Sequence, residues 1–148
     1  MKKFINIICI LTVCASLLFG CDWFDVGSYT HAENYEMGAS CKKIFEAIRI
    51  FKNENPDMAP PQNFGYGKDG EGLYYLSAYF YYKNKDMGIV TVIHEKGTEL
   101  MFVSVCTVID GKKHCRSINE DIKGSENKAV KKEFEQRVVN PLKAILRR

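Results

Sequence analysis

Between Leu73 and Ile118 the chain reads as four strand-like segments broken by short runs of turn chemistry, and this pattern restricts the fold more than any other feature. The segments are Leu73 to Lys83, Gly88 to Glu95, Glu99 to Ile109 and Lys112 to Ile118, and the breaks hold KNKDMG, KG and DG. Apolar residues at period two, joined through short Gly-containing turns, predict antiparallel hairpins in sequential order. On either side the period changes to that of a helix. Cys41, Ile44, Phe45, Ile48 and Phe51 predict an amphipathic helix from Asn34 to about Lys52. Val130, Phe134, Val138, Leu142 and Ile145 form one face of a second helical segment, Ser125 to Arg148. Asn140-Pro141 interrupts it, because proline removes a helical hydrogen bond while Asn followed by Pro is a restart signal, so a kink or two consecutive helices is expected. The predicted class is α+β: an N-terminal helix, a four-stranded antiparallel meander, and a C-terminal helix kinked or broken at Pro141.

A two-residue type I′ turn at Asp110-Gly111 sets the last hairpin. Ile109 then opposes Lys112, Thr107 opposes His114, and Cys106 meets Cys115 at a non-hydrogen-bonded position, where Cα atoms are closest and a bridge closes most easily. This predicts a Cys106–Cys115 disulfide that leaves Cys41, on the apolar stripe of its helix, as a buried thiol; the rival is a bridge from Cys41 to either of them, stapling the first helix to the sheet. Carrying the register back through the other turns sorts the side chains into two faces. Leu76, Ala78, Phe80, Tyr82, Ile89, Thr91, Ile93, Leu100, Phe102 and Cys106 make a core face. Tyr75, Ser77, Tyr79, Tyr81, Val90, Val92, His94, Met101, Val103, Val105, His114 and Arg116 make the other, which is apolar at its centre with hydroxyls and basic groups at its margins.

The segment Tyr74 to Lys83, YYLSAYFYYK, holds six aromatic rings in ten residues and no acid. A buried tyrosine must find a partner for its hydroxyl, so tyrosine is an expensive way to fill a core and a good way to build a contact surface. Two arrangements fit. Either both helices cover one face and the tyrosines meet a partner, or the helices lie on opposite faces and the tyrosines only reach their hydroxyls to the rim. Asn53 to Gly72 carries three of the four prolines and four of the eleven glycines. It predicts a long loop, of the kind that is either functional or disordered, and its Phe64 and Tyr66 are rings that a solvated linker does not need.

The start of the chain has its own logic. Lys2 and Lys3 precede an uncharged apolar run from Phe4 to Phe19, and Asp22 and Asp25 follow at once. This is the form of a secretory signal peptide, too short for the roughly 20 apolar residues of a membrane span. Leu18-Phe19-Gly20-Cys21 resembles the lipobox of bacterial lipoproteins. The resemblance covers the signal only, and it implies removal of residues 1 to 20, a diacylglycerol thioether on Cys21, and often a further acyl chain such as palmitate. Two or more chains hold a protein to a membrane stably, since each buried methylene contributes about 0.8 kcal/mol. Asp22 stands where enterobacterial lipoproteins carry an inner-membrane retention signal. Residues 21 to 33 are then a lipid-proximal linker and residues 34 to 148 a single domain.

Without the signal, nineteen basic residues face eighteen acidic ones, a balance that asks for no nucleic acid. From Ile122 onward there are eight Lys or Arg and three Glu, which read as a solvated helix face. No phosphate loop, G-x-S-x-G elbow or H-E-x-x-H occurs. Cys41 with His94 or His114 is a poor nucleophile pair, because a cysteine on an apolar stripe is packing. His31, His94 and His114 lack paired metal-ligand spacing, so neither catalysis nor a cofactor is expected. Two classes of function remain: an envelope lipoprotein that binds a protein, as an inhibitor, immunity factor or secretion or assembly accessory, or a ligand-binding or enzymatic domain with the loop as a pocket wall. The candidate contact residues are Tyr75, Tyr79, Tyr81, His94, His114, Arg116, Phe64 and Tyr66.

Overall fold

The structure is a computed structural model that describes residues 29–148. The apolar start and Cys21, on which the expected lipid anchor would rest, lie outside the described residues. Strand β1 (Glu33–Glu36) is followed by helix α1 (Cys41–Glu54), then β2 (Tyr75–Tyr82), β3 (Met87–His94), β4 (Glu99–Ile109) and β5 (Lys112–Ser117). Helix α2 (Gly124–Phe134), a π turn (Glu135–Val139) and helix α3 (Asn140–Leu146) complete the chain. The predicted α+β layout holds: an antiparallel sheet with a helix before it and a helical segment after it. Among the described residues no helix is long and apolar enough to cross a membrane.

Strands β2 to β5 form the expected meander. Asp110 and Gly111 both have positive φ, 50° and 71°, as a type I′ turn requires. Cys106 opposes Cys115, and the two form the disulfide with Cα atoms 4.0 Å apart. Cys41 is a buried free thiol, its pKa pushed up by burial.

Three local expectations are corrected. Residues 33 to 36 are a strand, not linker and helix: β1 pairs with the first part of β4, Tyr35 opposite Leu100, while β5 takes the later part of the same edge. The helix therefore begins at Cys41, where the apolar stripe begins. Second, Asn140 has helical dihedrals and does not cap a new helix. Its N–H bonds to the Glu135 carbonyl five residues back, and this widened turn takes Pro141 without breaking the helical path.

The third correction moves side chains between faces. Val90 pairs with Ser104 but Thr91 pairs with Phe102, so Val103 is an extra residue in β4. A bulge of one residue exchanges the faces beyond it. Val105, opposite Ile89, joins the core, and Cys106, opposite Gly88, joins the tyrosine face. The later residues of β5 shift likewise, and His114 and Arg116 fall on the helix side.

Both helical segments cover that one side. Ile44, Ala47, Ile48 and Phe51 of α1, with Phe134, Val138, Val139 and Leu142 of the C-terminal segment, pack against Ala78, Phe80, Ile89, Ile93, Leu100 and Phe102. Phe134 sits among the rings of Phe102, Tyr35 and Phe80 at centroid distances of 4.4, 5.4 and 6.3 Å. Full burial of such side chains stabilises by about 1.5–3 kcal/mol each.

Candidate binding surface

Among the described residues no α-helix lies on the opposite side of the sheet, and the loop between α1 and β2 covers part of it. Of its two short 3-10 turns, Pro56–Met58 keeps Met58 in the helix-side core, and Gln62–Phe64 brings Phe64 to 3 % exposure on this side. Its ring meets Tyr81 edge-on at 5.4 Å, and Tyr66 stacks on Tyr79 at 4.6 Å with planes 7° apart. Lys113 of β5 holds the outer side, its Nζ 4.6 Å from the Tyr66 centroid and donating to the Gly65 carbonyl at 3.0 Å. The floor beneath is Gly88. A Cβ there would come within 2.2 Å of the Tyr66 hydroxyl and 2.6 Å of Phe64, so only glycine admits the loop at this depth.

The loop is also laced to the outer edge of β2. Gly70 donates to the Ser77 carbonyl at 2.7 Å, Ser77 donates to the Glu71 carbonyl at 3.0 Å, and the Asp69 carboxylate accepts from the Tyr79 N–H at 3.0 Å. The other carboxylate oxygen of Asp69 takes the ammonium of Lys52 from α1. Burial pushes the Lys52 pKa down, against the pull of Asp69. Lys52, Asp69, Tyr66, Tyr79 and the Pro60-Pro61 pair line a cavity of about 300 Å³.

The structure thus separates the eight candidates. Tyr79, Tyr81, Phe64 and Tyr66 come together, but they meet one another. The Tyr81 hydroxyl donates to Asp86 at 2.6 Å, and this bond raises its pKa. Burial raises that of Tyr66, whose hydroxyl has no hydrogen-bond partner among the described residues. Tyr75 and His94 remain half-exposed beside the loop with their rings edge to face at 5.2 Å. Next to them Leu73 is 84 % and Tyr74 69 % exposed. His114 and Arg116 are on the far side, where Arg116 forks onto Glu126 at 2.6 and 3.0 Å.

Sequence reading missed Lys52, Asp69 and Lys113. The first two are seventeen residues apart on a helix and a loop, and no local pattern announces them. Lys113 shares a face with Cys115, which only the Val103 bulge brings round to the tyrosines. The chain matches no family model, no curated protein and no solved structure.

Proposed function

We propose that this chain is a membrane-tethered lipoprotein of a bacterial envelope, held through lipid on Cys21, whose domain binds another envelope protein as an inhibitor, immunity factor or secretion or assembly accessory. The observation that supports this is the distribution of cover. Both helical segments are spent on one side of the sheet, and the loop reaches Tyr79 and Tyr81 but leaves Leu73 and Tyr74 exposed, with Tyr75 and His94 half-exposed next to them. Aromatic groups with polar tips, next to exposed apolar ones, suit a contact that must also survive in water. Placing a photo-crosslinker at Tyr74 in the tethered protein tests the reading. A discrete crosslinked partner from position 74, absent with the crosslinker at Lys128 on α2, is expected; equal labelling from both positions would count against it.

A second reading rests on the cavity beside Lys52 and Asp69. Its paired charges and aromatic wall suit a small zwitterion, and it takes in Tyr79 but neither Tyr75 nor His94.

A further inference from the structure

The two borders of the sheet are finished differently. Along β2 the odd-numbered residues turn their backbone groups outward, since Tyr74 accepts from Glu95 across the hairpin. Loop residues 69 to 71 occupy the outward groups of Ser77 and the N–H of Tyr79. Along β5 the even-numbered residues face β4, a parity set by the two-residue turn and continued by the Ile118 N–H bond to the Val103 carbonyl at 2.9 Å. Of the odd ones, Ser117 is closed by its own turn: it donates to the Asp121 carboxylate at 2.7 Å and accepts from the Asp121 and Ile122 N–H groups. Lys113 and Cys115 are left. Among the described residues nothing pairs with their backbone N–H or C=O groups, and every residue from Lys112 to Arg116 is exposed.

An open edge templates strand addition, and charge decides which strands it admits. KKHCR carries no acid. Arg116 is neutralised by Glu126, whereas no carboxylate among the described residues pairs with Lys112 or Lys113. A second copy is repelled, because antiparallel pairing of β5 with itself crowds the Lys112 and Lys113 ammonium groups of both copies along one short ladder. An acidic strand meets the opposite condition. The remainder of this border, β1, is four residues long with Glu33 and Glu36, so it does not extend the attraction.

We propose that the outer edge of β5 is a strand-addition site for an extended acidic segment of a partner polypeptide, paired to the main chain of Lys113 and Cys115 and flanked by the Lys112 and Lys113 ammonium groups. This surface is separate from the Tyr75 patch, so either can fail alone.

The test is an amide-resolved NMR titration of the full chain in non-ionic detergent with a peptide of about ten alternating glutamate and valine residues, and with its lysine-for-glutamate counterpart. At low salt the glutamate peptide should give saturable shifts and slowed hydrogen exchange at the Lys113 and Cys115 amides, and the lysine peptide should not. Lys113→Pro deletes an outward N–H while sparing the β4 ladder, and should weaken binding about tenfold or more. Lys113→Thr, which keeps the N–H, should weaken it less. Unchanged amides, shifts at Tyr75 and His94 instead, equal binding by Lys113→Pro, or self-association through β5 without peptide would each overturn the proposal. Should Lys113→Pro fail to fold, the double change Lys112→Glu and Lys113→Glu should reverse the preference between the peptides, and an unreversed preference is equally fatal.

Discussion

Phe80 and Tyr79 are one step apart on β2 and meet opposite kinds of cover. Phe80 has no exposure and touches rings from two helical segments, Phe51 at 6.1 Å and Phe134 at 6.3 Å. Tyr79 is half-exposed and carries one ring of a loop, Tyr66. A helix brings apolar groups at fixed spacing and satisfies its own backbone, so it can dry a whole face. A loop must find partners for its backbone one by one, and here it finds them along the edge of β2 and at Lys113. Helical cover is therefore continuous, and loop cover ends where those partners end, leaving Tyr75 and His94 beside it.

The sharpest way to break the comparison is truncation on each side. Phe80→Ala should destabilise the domain by about 3–5 kcal/mol, read from urea unfolding, because rigid helices leave the cavity open. Tyr79→Ala should lose about 1–2 kcal/mol, the ring stack and part of its burial. It should also speed proteolysis within residues 59 to 72. Equal losses from the two variants would show that the loop side is as much core as the helix side.

A smaller effect sharpens the helix side. Burial alone would raise the Glu133 carboxyl, but Lys85 and Arg137 hold it below the usual range. A carboxyl whose folded pKa is depressed stabilises above its unfolded pKa and loses that contribution as pH falls through the folded one. Stability should thus be level near neutrality and decline below about pH 4.3, and Glu133→Gln should flatten that decline by a few tenths of a kcal/mol. An acid limb of unchanged slope would show that Glu133 does not join α2 to the β2–β3 turn.

Much of the fold was legible because its signals are local. The period of three to four at Ile44, Ile48 and Phe51, the alternation around Phe80 and the Asp110-Gly111 turn each act within a few residues, and together they yield the meander and the Cys106–Cys115 bridge. Turn geometry sets a hairpin register whatever surrounds it. β1 left no such trace, because four residues with one buried ring have no measurable period. The Val103 bulge left none either, and it alone moved His114 and Arg116 away from the tyrosines. What covers the tyrosine face was decided only in three dimensions. Phe64 and Tyr66 reach it through contacts with Tyr81, Tyr79, Gly88 and Lys113, spread over some fifty residues of sequence. Sequence determines which side chains a strand offers to each face, because the pleat is local; which face is filled depends on the packing of distant segments, which no short-range pattern encodes.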